Sequence, residues 1–162
     1  MHSRFRPHSI VDLNERPQRI LTLVLLSTLL SGCGEKVPFE LEAVSGTITY
    51  SDGSFVKADQ LLLKFVPQGI QAIGRDAPRS AETFAELADG TFTDFTTWKH
   101  GDGVMVGRHK VVVMSLRVGS HGVGEPTNAV PTCYHKANKT PLEVEVISGG
   151  ENSFSLEIEK GA

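Results

Sequence analysis

The side chains best suited to chemistry gather late in the chain. Cys133-x-His135 sets two soft ligands on one loop, and His100, His109 and His121 are the further imidazoles that could complete a zinc or copper set. Neither a Cys-x-x-Cys nor a His-x-x-x-His spacing accompanies them. No metal or cofactor is therefore expected, and a metal site on Cys133 and His135 is the alternative. The Cys133 thiol would be reactive only beside a positive charge, which Lys136 or His135 could supply; otherwise it packs as a small apolar group next to Tyr134. Asp52, Asp89, Asp94 and Asp102 lie in or near turns, but the alternating Asp-x-Asp-x-Asp pattern of a calcium loop is missing and turn geometry accounts for three of them. A Gly-x-Ser-x-Gly elbow and a phosphate loop are also absent. Trp98-Lys99-His100 follows a strand-like run, so Trp98 is either a surface ring that stacks on a sugar or partner side chain, or a cover for one end of the core. Asn138-Lys139-Thr140 matches a glycosylation acceptor in form only. Trp98, His100, Tyr134 and His135 are the candidate partner contacts, and no catalytic residue stands out.

The elements that must position these groups are strands. After Cys33 no helical period of useful length occurs, while alternation with period two recurs. Val44, Gly46, Ile48 and Tyr50 share one face, as do Leu61, Leu63 and Phe65 in the run from Gln60 to Val66 that Pro67 ends. Ala81 to Leu87 and Thr91 to Thr97 flank Asp89-Gly90, a pair that predicts a hairpin with positive φ at both turn positions. His109 to Leu116 is apolar on both faces and is expected at the centre of a sheet, with His109 inward and hydrogen-bonded. Leu142, Val144 and Val146 oppose Glu143 and Glu145, and Phe154, Leu156 and Ile158 oppose Ser155, Glu157 and Glu159; the Ser148 to Asn152 loop should close them into an antiparallel hairpin. About seven short strands without helices predict an all-β, antiparallel, two-layer β-sandwich. Gln68 to Arg79 and Val118 to Pro141 resist the pattern. The second, with the Trp98 to Gly103 turn, is where partner contact is expected.

The amino-terminal end differs in kind. Arg4, Arg6, Arg16 and Arg19 precede an apolar run from Ile20 to Leu30, eleven residues long, against roughly 20 for a bilayer-spanning helix. Leu30-Ser31-Gly32-Cys33 follows and resembles the lipobox of bacterial lipoproteins. The resemblance implies that residues 1–32 are a removed signal peptide, that Cys33 carries the lipid, that 33–40 form a short tether and that 41–162 are one domain. Several acyl chains on one residue would give stable anchoring. Gly34 in place of Asp after the cysteine points to the outer membrane, by analogy with lipoprotein sorting.

The whole chain of 162 residues has a net charge of −3. Without residues 1–32, which hold Arg4, Arg6, Arg16, Arg19, Asp12 and Glu15, twelve basic and seventeen acidic residues remain, a formal charge of −5. That balance argues against nucleic acid as a partner. With Cys33 acylated, Cys133 would have no disulfide partner, and stability would rest on the core.

The order of motifs resembles a further pattern. Gly46-Thr47-Ile48-Thr49-Tyr50 with Asp52-Gly53, Phe65-Val66-Pro67, Ala88-Asp89-Gly90-Thr91-Phe92, Gly107-Arg108-His109-Lys110-Val111, Val130-Pro131-Thr132-Cys133-Tyr134, Thr140-Pro141-Leu142 and Gly150-Glu151-Asn152-Ser153-Phe154 are together similar to bacterial lipoproteins with a carboxypeptidase-regulatory-like, transthyretin-like domain. His109 stands where that family has an aromatic residue, usually Tyr, and Cys133 where it has Lys. The resemblance implies a prealbumin-like sandwich, lipid-anchored to the cell membrane or outer membrane and facing the periplasm or exterior. It also implies a non-catalytic role with a protein or polysaccharide partner of the envelope. A transthyretin-related hydrolase is a weaker alternative, because the chain ends Ile158-Glu159-Lys160-Gly161-Ala162 instead of the Tyr-Arg-Gly-Ser of that enzyme.

Overall fold

A computed structural model describes residues 37–119 and 124–161. The chain divides into two units, Met1–Lys36 and Val37–Ala162, and only the second is described. The signal-like run, the lipobox with Cys33, and His121 all lie outside the described residues.

Ten strands make up the described fold: β1 (Leu41–Glu42), β2 (Ser45–Tyr50), β3 (Gln60–Pro67), β4 (Ala81–Ala85), β5 (Thr91–Phe92), β6 (Val104–Met105), β7 (Gly107–Val118), β8 (Gly124–Pro126), β9 (Glu143–Val146) and β10 (Ser153–Ile158). One 3-10 helix, Thr132–His135, lies between β8 and β9. Seven strands fall on the runs predicted from alternation; β1, β6 and β8 are two or three residues long and leave no periodic signal. Among the described residues no helix is long and apolar enough to cross a membrane.

β4, β3, β7 and β8 form one sheet in that order, with β9 beside β8 on the same edge of β7. β10, β2 and β5 form a second sheet, and β1 pairs with β6. The fold is therefore all-β and sandwich-like. Leu61, Leu63, Phe65, Val111 and Val113 of the larger sheet and Ile48, Phe92, Leu156 and Ile158 of the smaller one are at most 5% exposed. Each such side chain contributes about 1.5–3 kcal/mol by leaving water. Phe65 joins the two layers, 4.6 Å from Phe95, 6.4 Å from Phe92 and 6.3 Å from Phe154, ring centre to ring centre. Gly46 sits where β10 and β5 crowd β2 within the smaller sheet: a Cβ there would run into the Phe154 carbonyl oxygen and lie 2.6 Å from the Phe92 ring.

Three expectations are corrected. The last two strands are not a hairpin: β9 pairs antiparallel with β7, and β10 pairs parallel with β2, so the sheets are not purely antiparallel. The Asn152 side chain accounts for the switch. Its Oδ1 accepts from the Ile147 N–H at 2.9 Å and its Nδ2 donates to the Ile147 carbonyl at 3.0 Å, taking the place of a partner strand just as β9 ends. Its own carbonyl accepts from Ser45 N–H at 3.0 Å and starts the new ladder.

Asp89-Gly90 likewise turns the chain, but from β4 in one sheet to β5 in the other. Only Gly90 has positive φ there, 72°, and its backbone lies so close to β2 that a Cβ would meet the Ile48 carbonyl oxygen at 2.2 Å. The run from Thr91 to Thr97 is also broken. Phe92 and Phe95 both point inward although they are three apart, and Asp94, at φ 53°, absorbs the odd residue.

The third correction concerns Val118 to Pro141, much of which is packed. Val130 is fully buried, and the Ser115 hydroxyl, itself buried, accepts from Thr127 Oγ1 at 2.7 Å and from Val130 N–H at 3.2 Å. Tyr50 Oη donates to the Ala129 carbonyl at 2.8 Å. Thr140 Oγ1 donates to the Val111 carbonyl at 2.7 Å, so this segment covers the edge of β7 between β8 and β9.

Candidate functional site

The structure separates the four candidate contact residues. Tyr134 is 5% exposed and its hydroxyl accepts from Glu159 N–H at 3.1 Å, so it is a core residue and offers no contact surface. His135, half-buried, holds the Val130 carbonyl with Nε2 at 3.1 Å. Cys133 is exposed on the same 3-10 helix. With three residues per turn, positions two apart diverge around the axis, so Cys133 and His135 do not share a face. Among the described residues no group of three or more His, Cys, Asp or Glu side chains is placed to hold a metal ion.

His109 is inward, as expected from its strand position, and 1% exposed. Its Nδ1 lies 3.0 Å from the Gly107 carbonyl and its Nε2 has no partner. Burial pushes the imidazole below its ordinary value of 6.5, against a smaller opposite effect of the Gly107 bond. His109 and His135 thus each meet a backbone carbonyl and not a hydroxyl or thiol that they could activate.

Trp98 and His100 sit on the turn that Asp102 organises. The Asp102 carboxylate accepts from the N–H groups of Thr97 at 2.7 Å, Trp98 at 2.9 Å and Lys99 at 2.8 Å. Burial alone would raise its pKa; the three backbone donors outweigh that and hold it below the ordinary carboxylate value. Thr97 Oγ1 donates to the Gly103 carbonyl at 2.6 Å and closes the turn. Trp98 is half-buried, stacked on Phe39 at 5.5 Å with the Arg79 guanidinium 5.5 Å from its ring centre. Its ring is thus shared between Phe39 and Arg79 and stays partly open to solvent.

His100 instead lines an open groove of about 640 Å³ with Leu62, Glu82, Thr83, Phe84 and Asp94. Glu82 and Phe84 occupy the outward positions of β4, opposite inward Ala81 and Ala85. Phe84 is 53% exposed, a large aromatic presented to solvent. Glu82 pairs with Lys64 at 2.6 Å, a half-exposed ion pair of small energetic weight. The neighbouring segment is fixed to β4 at two points: Glu82 exchanges two backbone bonds with Thr96, at 3.0 and 2.9 Å, and Thr83 Oγ1 donates to the Thr93 carbonyl at 2.6 Å. An apolar floor with carboxylate, hydroxyl and imidazole groups at its rim can stack and hydrogen-bond a ligand.

Of this groove, His100 alone was a candidate contact from sequence, Asp94 being noted there only as a turn carboxylate. Phe84 carried a usable signal, because it shares parity with Glu82 on a strand whose other parity is Ala81, Thr83 and Ala85. Asp94 did not, since its left-handed backbone depends on both Phe92 and Phe95 facing inward. No protein family, curated protein or solved structure matches the chain.

Proposed function

We propose that the chain is a lipid-anchored cell-envelope protein, held by acyl chains on Cys33, whose domain binds or braces an envelope protein or polysaccharide without catalysing a reaction. In this reading the domain is carboxypeptidase-regulatory-like, with a transthyretin-like sandwich of about seven strands to which β1, β6 and β8 are added. The supporting observation is the lipobox-like Leu30-Ser31-Gly32-Cys33 placed directly before the domain: six residues after Cys33, Phe39 is already stacked on Trp98. Partner contact is read at the Phe84 groove, whose exposed ring and polar rim suit a sugar face or an extended peptide.

Intact mass and membrane fractionation of the natively expressed protein, beside a Cys33→Ser variant, test the anchor. The expected result is a mature mass that begins at Cys33 plus acyl chains, with release from the membrane in the variant. An unmodified soluble product from the native gene would overturn the lipoprotein reading. For the groove, Phe84→Ala should weaken retention on isolated envelope material while leaving the melting temperature unchanged; undiminished retention would remove the groove from the function.

A further inference from the structure

The tether is shorter than the 33–40 segment suggests, because its last residues are bound to the domain. Phe39 stacks on Trp98, the Glu40 carbonyl accepts from Val106 N–H at 3.0 Å, the Glu40 carboxylate bonds Ser148 Oγ, and Glu42 Oε1 accepts from Gly149 N–H at 2.7 Å. Phe39 is six positions after Cys33, and at 3.3–3.6 Å per residue the chain between them reaches at most about 22 Å. If Cys33 is acylated, as the proposed function holds, this end of the domain cannot move far from the lipid headgroups.

The side chains at this end have the composition of an interfacial surface. The hairpin after β3, closed by the Ile73↔Asp76 bridge, exposes Ile73 at 50% and leaves Arg75 and Arg79 exposed. The loop after β9, which Glu40 and Glu42 hold, exposes Ile147 at 52%. Trp98 lies between Phe39 and Arg79, and Lys99 beside it is exposed. The ion pairs among the described residues use Lys64, Lys110 and Lys160, leaving Arg75, Arg79 and Lys99 without a carboxylate partner there. The carboxylates of Glu40, Glu42 and Asp102 are hydrogen-bonded to the domain and, with exposed Asp76 of the hairpin, keep this end from being cationic, so its case as an interface rests on its apolar and aromatic side chains. An indole, two exposed isoleucines and long cationic side chains beside them match the interfacial zone of a bilayer.

We infer that the tether end of the domain, centred on Trp98 with Ile73, Ile147, Arg79 and Lys99, is a membrane-contact surface that lies at the headgroup level and orients the domain on the bilayer. This rests on acylation of Cys33 and goes beyond it, since an anchor alone leaves the domain free to tumble at the end of its tether. The Phe84 groove would then be held at a set height and angle above the lipid.

Trp98 is the single tryptophan of the chain, so its fluorescence reports on this surface without labelling. The full mature acylated protein is reconstituted in phosphatidylcholine vesicles with and without phosphatidylglycerol, each also prepared with lipids brominated near the headgroup. Contact predicts quenching of Trp98 by the brominated lipid in both vesicle types, and loss of that quenching in an Ile73→Asp, Ile147→Asp double variant that stays acylated and sediments with the vesicles. Both isoleucines are half-exposed, so the double variant should fold with near-native stability, checked by its melting temperature. Equal, unquenched emission in an acylated, vesicle-bound wild type would overturn the contact surface and leave the anchor standing. A mass without acyl chains at Cys33 would overturn both.

Discussion

Two irregular stretches of the domain have opposite fates. The segment from Thr127 to Leu142 is long and polar in composition, yet it is structural: Val130 and Tyr134 fill the core, and Ser115, Tyr50 and Thr140 tie it to the strands. The Trp98 to Gly103 turn is short and stays at the surface, but one carboxylate fixes it through three backbone donors. Length without secondary structure is therefore a poor guide to availability for binding. A long irregular segment can cover an open sheet edge, here that of β7, whereas a short one can be rigid and still presented to solvent.

The contrast is broken or sharpened by four substitutions. Tyr134→Ala has the largest expected effect, a loss of about 3–5 kcal/mol from an emptied ring site and an unpaired Glu159 N–H. An unchanged melting temperature would mean that the long segment is only loosely attached, and the distinction would collapse. Asp102→Asn should cost about 1–2 kcal/mol, because one carboxylate oxygen is replaced by an amide donor that faces backbone donors.

Asp102 and His109 also set the acid response of the fold, in separate ranges. The folded state binds the Asp102 proton more weakly than the unfolded chain does, so its stabilising effect is complete above the ordinary value of 3.8 and is lost as pH falls through and below it. His109 is held neutral by burial, so below its ordinary value of 6.5 the unfolded chain takes up a proton that the folded chain refuses, and stability falls with pH from there. Denaturant titrations at stepped pH should show both losses; His109→Phe removes the one that begins near 6.5 and Asp102→Asn the one that begins near 3.8. Retention of the upper step in His109→Phe would assign it to another group. The smallest effect belongs to His100→Ala, which should change stability by under about 0.5 kcal/mol because the ring is exposed. A larger loss in thermal unfolding would show that the turn depends on more than its carboxylate.

Strand positions were legible in the sequence wherever burial alternates, as at Leu61, Leu63 and Phe65, because a sheet with one buried face imposes period two directly. Strand partners were not. Asp89-Gly90 and the Ser148 to Asn152 loop have the composition of reversals, and composition specifies a change of direction without specifying which sheet receives the next strand. At Ile147 the choice depends on a side-chain amide that copies a backbone partner. The core role of Val130 and Tyr134 was equally hidden, since isolated apolar residues in an irregular segment form no pattern. At the candidate site, His100 could be found by type alone, whereas the groove around it arises from β4, β3 and the 93–100 segment meeting in space.

The parallel ladder between β2 and β10 has a consequence for the timing of folding. It joins the first long strand of the domain to the last, and the Lys160–Asp52 pair at its end spans 108 residues. The smaller sheet consequently lacks one edge until nearly the whole chain is available, a high-contact-order closure that slows folding. Truncation just before Ser153 should therefore leave a species in which β2 is unpaired on that side, prone to add strands from neighbouring molecules.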